Sequence, residues 1–328
     1  MKSSWKRLAI VFCMLWLLAA CGTKPTPSAG DQGKEKEYSI GITQIMEHPA
    51  LNAAQSGFKK ALKDAGLNVS YDSQNAQGDN SANTSIAKNL VSADVDLIFA
   101  NSTQSAQAAL SATSEIPIIF TSVTDPVGAE LVKDLEKPGT NATGTMDAHP
   151  EAINKTLTFM KEEMEVTIIG TIYNVGEQNS RAQVNNVKQL ASELGMELKE
   201  AAVATTADVK QAAESLADQV DAFYIVTDNT VVAAIEAVVT VANQMKKPLF
   251  TADLDSLDRG AFAAFGFDYF DIGYEAGEMA VKVLHEEAVP EALAVQPPQT
   301  LKLKMNKEAA ATIEVEVKPE WNAEFVDK

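Results

Sequence analysis

From Tyr38 onward the chain alternates short apolar runs with longer segments of helical period, and it does so twice. This pattern constrains the fold more than any other feature of the sequence. The apolar runs are Tyr38–Thr43, Val95–Ala100, Ile116–Thr121, Val166–Tyr173, Ala222–Thr227 and Pro248–Thr251. Between them lie helix-period stretches over 50–65, 80–92, 102–113, 151–163, 179–194, 207–219 and 230–245. Strands that are apolar throughout, separated by helices, predict parallel sheets covered on both faces. Gly66 and Gly195 stand where helices should end, each before a further strand-like run. Local phrases recur as well: Ala65-Gly66-Leu67 returns as Leu194-Gly195-Met196, and the run ending Pro117-Ile118-Ile119-Phe120 returns as Lys247-Pro248-Leu249-Phe250. Two similar halves predict two α/β lobes.

The tail fits that scheme. A strand-like run over 260–267 precedes a helix over 269–286 and a final alternating stretch over 299–305. In a two-lobed protein the late strand and helix complete the first lobe. The expected division is 38–147 plus 259–288 for the N-terminal lobe and 148–258 plus 289–328 for the C-terminal lobe. Crossings between lobes are expected near 146–149, 253–259 and 287–299.

The segment before Tyr38 reads as an address. Lys2, Lys6 and Arg7 precede an uncharged apolar run from Leu8 to Ala20. The run is too short to span a bilayer comfortably, which takes about 20 apolar residues. It ends in Leu18-Ala19-Ala20-Cys21, which resembles a bacterial lipobox. Residues 1–20 are therefore expected to be a lipoprotein signal peptide and Cys21 the lipidated terminus. Residues 21–37 hold almost nothing apolar and read as a flexible tether. The only other cysteine, Cys13, leaves with the signal, so the mature fold is expected to have no disulfide. The chain carries a net charge of −18, more negative still without the signal, and this argues against nucleic acid as a partner.

Ligands of open parallel sheets bind beyond the carboxyl ends of the strands. The residues at those ends are Met46 and Glu47; Ser102, Thr103 and Gln104; Ser122, Val123, Thr124 and Asp125; then Tyr173, Asn174, Glu177 and Ser180; Thr227, Asp228 and Asn229; and Asp253, with Asp147 at the first expected crossing. Each has a structural reading too. Ser102, Thr103, Asp228 and Asn229 can cap helices, Asp125-Pro126 can be a turn, and Tyr173 can be a core aromatic. Catalysis is poorly supported: there is no Gly-x-Ser-x-Gly elbow, no dinucleotide or phosphate loop, and no histidine pair at metal spacing among His48, His149 and His285. Neither enzyme activity nor a cofactor nor a metal is expected.

At these loops the chain resembles the ABC transporter substrate-binding lipoproteins whose better-known members bind tryptophan and other aromatic amino acids. The stretches that carry the resemblance are Ile40 to Leu51 with its Glu47-His48-Pro49-Ala50, Asn75 to Asp79, Phe120 to Ala129 with its Thr124-Asp125-Pro126-Val127-Gly128, Tyr173 to Ser180, Thr227 to Asn229, and Gly266 to Tyr269 with Gly273. Asn52 departs from the family's usual aspartate, and Met146-Asp147-Ala148-His149 from its usual Ser-Asp. The resemblance implies a type I periplasmic-binding, venus-flytrap fold on the extracytoplasmic face of the cell membrane. It also implies a small-molecule ligand and, as partners, an ABC permease with its ATPase. An amino acid would suit the loops. Its carboxylate would meet Ser102, Thr103, Ser122 and Thr124, its ammonium Asp228 or Glu177, and its side chain Met46, Val123 or Tyr173. A lipoprotein sensor for a membrane receptor is the alternative, and neighbouring permease and ATPase genes would argue against it.

Overall fold

The computed structural model describes residues 36–326. The expected signal peptide, Cys21 and all but the end of the expected tether lie outside the described residues. In the first lobe β1 (Glu37–Gln44), α1 (Pro49–Asp64), β2 (Asn68–Asn75), α2 (Asn80–Ser92), β3 (Leu97–Asn101), α3 (Thr103–Ala112), β4 (Ile118–Val123) and β5 (Ala142–Met146) follow in order. Their strands form one parallel sheet, β2-β1-β3-β4-β5. Every residue of β3 and β4 is buried, whereas β2, at the edge, is mostly exposed. That difference explains why the apolar runs mark the central strands and miss β2; β5, the other edge, is buried but made of small and polar residues, Ala-Thr-Gly-Thr-Met.

The second lobe continues with α4 (Ala152–Glu162), β6 (Ile168–Asn174), α5 (Gln178–Glu193), β7 (Glu197–Val203), α6 (Val209–Ala217), β8 (Ala222–Ile225), α7 (Asn229–Ala233), α8 (Ile235–Gln244), β9 (Leu249–Thr251), α9 (Asp255–Asp258) and β10 (Ala263–Gly266). After α10 (Tyr269–Leu284) come β11 (Lys302–Met305), α11 (Lys307–Thr312) and β12 (Glu324–Phe325). The second sheet runs β12-β11-β10-β9-β8-β6-β7. It is parallel except where β11 meets β10 antiparallel. The expected helix over 230–245 is two, broken at Ala234, whose φ of −115° and ψ of 25° leave the helical region.

Local chemistry sets several element ends. Asp79 caps α2 by accepting from the amides of Ser81 and Ala82. Gly66 and Gly195, at φ +74° and +68°, end α1 and α5, and the amides after them close onto Leu62 and Ala191. Apolar clusters fill both faces of each sheet. In the first lobe, Ile40, Ile42, Phe58, Leu97 and Phe99 pack with Ala276, Met279 and Leu284 of α10.

Helix α10 therefore belongs with the first lobe, as expected, but the strand before it does not. Residues 260–267 were expected there, within 259–288; instead β10 pairs with β9 and β11 in the second sheet. Its alanines continue that sheet directly, so the chain crosses at Phe267–Asp268 and not over 253–259. The return crossing falls at the end of the expected 287–299, so the lobe boundary lies beyond 288. Leu293, Val295 and Gln296, expected in the second lobe, hydrogen-bond to Thr143, Leu135 and Gly144 of the first. The chain leaves that lobe only between Gln296 and β11.

Candidate functional site: the cavity between the lobes

The carboxyl ends of the two sheets face each other and touch. His48 Nε2 lies 3.3 Å from Asn229 Oδ1, Gln183 Nε2 donates to Thr124 Oγ1 at 3.2 Å, and the hydroxyls of Thr124 and Thr227 are 3.4 Å apart. Between these contacts lies a narrow cavity of about 10 Å³, nearly closed by the side chains around it. The first lobe lines it with His48, Ala50, Leu51 and Ser122, and the second with Asn179, Thr227, Asp228, Asn229, Val232 and Asp253. Asp147 and Tyr269, at two of the lobe crossings, complete it. A wider groove of about 370 Å³ at the cleft mouth is lined by Met46, Gln104, Asn174, Val175, Glu177 and Asn229 among others.

The polar side chains of the cavity are braced. Asp228 caps α7 through Val231 N at 2.8 Å and accepts Asn174 N at 2.6 Å. Asp147 accepts from Thr124 at 2.8 Å and from the Tyr269 hydroxyl at 2.9 Å. Asp253 accepts the amide and hydroxyl of Ser256 at 2.7 and 2.9 Å. Burial pushes the carboxyl of Asp147 up to about 6. Burial and the charge of Glu177 push that of Asp228 up to about 7, and burial raises that of Asp253. Burial also holds His48 down at about 4, so its imidazole is neutral. Three crowded carboxylates beside a neutral imidazole favour a cation in the cavity.

An anion is favoured at another wall. Helix α1 starts with Pro49 and has no side-chain cap, so its first turn, Ala50 and Leu51, brings uncapped backbone and the positive end of the helix dipole to the cavity. Beneath it Asn101 donates to Gln44 and to the Leu51 carbonyl, and Ser122 donates to Asn101. Ser122 has a left-handed backbone, φ 56°, at the irregular end of β4. Asn52, the departure after Leu51, accepts from Gln44.

Of the residues expected at the site, Ser122, Asp147, Thr227, Asp228, Asn229 and Asp253 line the cavity, and Met46, Gln104, Asn174 and Glu177 the groove beside it. The others line neither. Glu47 is exposed, Val123 is core, and Asp125 closes a turn onto Gly128 N at 2.8 Å. Ser102 caps α3 through Ser105 N, beside a buried Thr103. Ser180 bonds to Asp228 and Thr124 to Asp147. Tyr173 turns away to Glu200 at 3.0 Å. The sequence reading left His48, Ala50, Leu51, Asn179, Val232 and Tyr269 out of the site. His48 and Ala50 stood in the Glu-His-Pro-Ala phrase and Asn179 in the Tyr173 to Ser180 stretch, but nothing local marks Val232. Among the described residues no group of three or more His, Cys, Asp or Glu is placed to hold a metal ion.

A family model for ABC transporter substrate binding proteins matches residues 39–323, nearly all of both lobes. The chain belongs to this family. As an ABC transporter substrate-binding protein it is 43% identical over 282 residues, 83% of its length, to a tyrosine-binding protein of Clostridioides difficile, of which the match covers 81%. An L-Trp complex from Streptococcus pneumoniae superposes with a TM-score of 0.84 at 30% identity, covering 89% of this chain and all of that one. A ligand-free, open substrate binding protein from Clostridium difficile is 40% identical over 89% of this chain and 99% of that one, yet its TM-score is 0.67. This substrate-binding protein thus agrees better with the ligand-bound relative than with the more similar open one, in keeping with lobes that touch. The comparison also bears out the type I periplasmic-binding fold.

Proposed function

We propose that this protein captures a free α-amino acid, aromatic ones favoured, in the cavity between its lobes and delivers it to an ABC permease and its ATPase as the extracytoplasmic component of an importer. One observation carries the reading. Asp147, Asp228 and Asp253 converge on a cavity whose opposite charge preference is supplied by the uncapped start of α1. An α-amino acid is the small molecule that bears a cation and an anion one carbon apart. Leu51, Val232 and Tyr269 offer its side chain apolar and aromatic surface. A tyrosine-binding relative and a tryptophan-bound one support the aromatic preference. Contact with both lobes at once favours the closed state, which is the form a permease can distinguish.

Asp228 is the ammonium partner in this reading. Glu177, the other acid considered, already accepts from the amides and side chains of Asn229 and Thr230. The lipobox-like run ending at Cys21 supports attachment to the outer face of the membrane. Cys21→Ser should then move the protein from the membrane to the soluble fraction.

Titration calorimetry with L-tyrosine, L-tryptophan, L-phenylalanine and L-leucine tests the ligand class. The amine and the acid that each lack one charged group of tyrosine serve as controls. Binding of the aromatic amino acids, with a large loss for both controls, is expected. Equal binding of a control would sink the zwitterion reading, and no binding of any amino acid would sink the class.

A further inference from the structure

The hydrogen bonds around His48 determine which of its ring nitrogens carries the proton. Asn229 Nδ2 lies 2.7 Å from Glu177 Oε2, and the Asn229 amide N–H points at the same oxygen at 3.1 Å. A carboxylate only accepts, so the nitrogen end of the Asn229 side chain must face Glu177. The oxygen end therefore faces His48, and Asn229 Oδ1 can only accept from His48 Nε2 at 3.3 Å. The proton sits on Nε2. The ring is neutral, kept so by burial and by the charge of Arg259. Nδ1 is thus a bare lone pair.

That lone pair is buried. His48 is 7% exposed and lines the cavity, and Nδ1 has no hydrogen-bond partner among the described residues. Asn179 repeats the arrangement from the other lobe. Its Nδ2 donates to the Thr227 carbonyl at 2.9 Å, which leaves Oδ1 as a second buried acceptor without a partner among the described residues, on a residue that lines the same cavity. A buried acceptor left unpaired is destabilising, because it has given up its bond to water and gained none. Two of them on residues that line one cavity call for donors on the ligand.

We propose that His48 Nδ1 is a specificity-determining acceptor: it takes a hydrogen bond from an N–H or O–H of the bound ligand, in a tautomer imposed across the cleft by Glu177 through Asn229. An ammonium, a phenol or an indole satisfies it; a carboxylate, a carbonyl or a methyl group does not. His48 belongs to the first lobe, and Asn229, Glu177 and Asn179 to the second. The tautomer is therefore enforced only when the lobes meet, so closure itself tests the ligand for a donor. A site built on such bonds rejects analogues that leave its polar groups unpaired far more strongly than an apolar pocket rejects a missing methylene. The inference rests on the cavity being the ligand site, and takes from the amino-acid reading only its choice of probe.

The test is long-range proton–nitrogen correlation spectroscopy of protein labelled with ¹⁵N-histidine and saturated with L-tyrosine, or with L-tryptophan if tyrosine does not bind. His48→Phe identifies the signal among the three histidines. The expected spectrum has His48 protonated at Nε2, with Nδ1 shifted from the position of a free lone pair to that of an acceptor, unchanged from pH 7.5 to 5. A proton on Nδ1, a doubly protonated ring at pH 7, or a free-lone-pair signal would overturn the proposal. Calorimetry on His48→Phe adds a second readout. At least a tenfold weaker affinity is expected, with the ligand-free melting temperature within a few degrees of the parent; parental affinity would overturn the proposal. If no amino acid binds, the amino-acid reading fails by itself. The same spectra, recorded with the compound released from the purified protein on denaturation, then decide on His48.

Discussion

The hydroxyl of Tyr269 donates to Asp147 at 2.9 Å across 122 residues of sequence, and so pins the start of α10 to the end of β5. Both residues stand where the chain passes from one lobe to the other, and both line the cavity. Asp147 is held on its second oxygen by Thr124, which also meets Thr227 and Gln183 of the opposite lobe. Hinge, cleft contact and cavity wall therefore share atoms, and a charge brought beside Asp147 acts on all three.

Tyr269→Phe keeps the ring and removes the pin. A hydrogen bond to a charged group contributes about 1.5–3 kcal/mol. Ligand affinity should fall about tenfold and the melting temperature by several degrees. Small-angle scattering of the saturated variant should show a radius between those of the open and closed parent. Parental values in all three would mean that the pin does not contribute to closure.

Asp228→Asn and Glu177→Gln should fail differently. Asparagine still caps α7, so the first variant should fold and melt near the parent temperature while its affinity drops about 100-fold, the scale of about 3 kcal/mol for removing one partner of a buried pair. Glutamine in place of Glu177 has one acceptor where four donors from Asn229 and Thr230 now converge. It should lower ligand-free stability by about 3 kcal/mol, seen in urea denaturation. Loss of affinity confined to the Glu177 variant would transfer the ammonium contact to that residue.

Acid should weaken binding and strengthen the ligand-free fold. Burial raises Asp228 to about 7 and Asp147 to about 6, with Asp255, beside Asp253 and Asp268, also near 7. Their folded-state values exceed the unfolded ones, so the ligand-free protein takes up protons on folding and gains stability from these groups as pH falls from about 7 toward 4. His48, lowered to about 4, opposes them below about pH 6.5. A bound ammonium needs Asp147 and Asp228 charged and must expel those protons. Affinity should therefore drop from pH 7.5 to 5.5, with protons released on binding, while the ligand-free melting temperature rises. Calorimetry in buffers of different ionisation enthalpy measures the protons; no release at pH 7 would contradict this reading.

Gly273→Ala should destabilise the first lobe. A Cβ at that position would lie 1.9 Å from the Ala54 carbonyl oxygen, and one at Gly57 2.1 Å from that of Phe270. Helices α1 and α10 touch backbone to backbone, so no side chain can yield, and the helices must part. A loss of about 3 kcal/mol or more in urea denaturation is expected. A loss below about 1 kcal/mol would show that the contact relaxes easily.

The sequence by itself determined the class of fold, because strands buried on both faces must be apolar throughout. The runs through Phe99, Phe120, Phe223 and Phe250 could therefore be found without coordinates. It also determined some helix ends, where Asp79, Gly66 and Gly195 act on backbone a few residues away. Polar strand-end residues followed from the parallel topology, and six of those named line the cavity. Tertiary structure decided the rest, because the deciding partners are far apart in sequence. Whether residues 263–266 joined the first or second sheet depended on which neighbouring edge was open to them. Glu177 and Asp228 look equivalent as strand-end acids until the amides of Asn229 and Thr230 occupy one and the cavity the other. His48 acquired its role only from Asn229, 181 residues away. Burial, which makes a lone pair or a carboxylate costly and hence selective, is a property of two lobes closed on each other, and no local stretch of sequence encodes it.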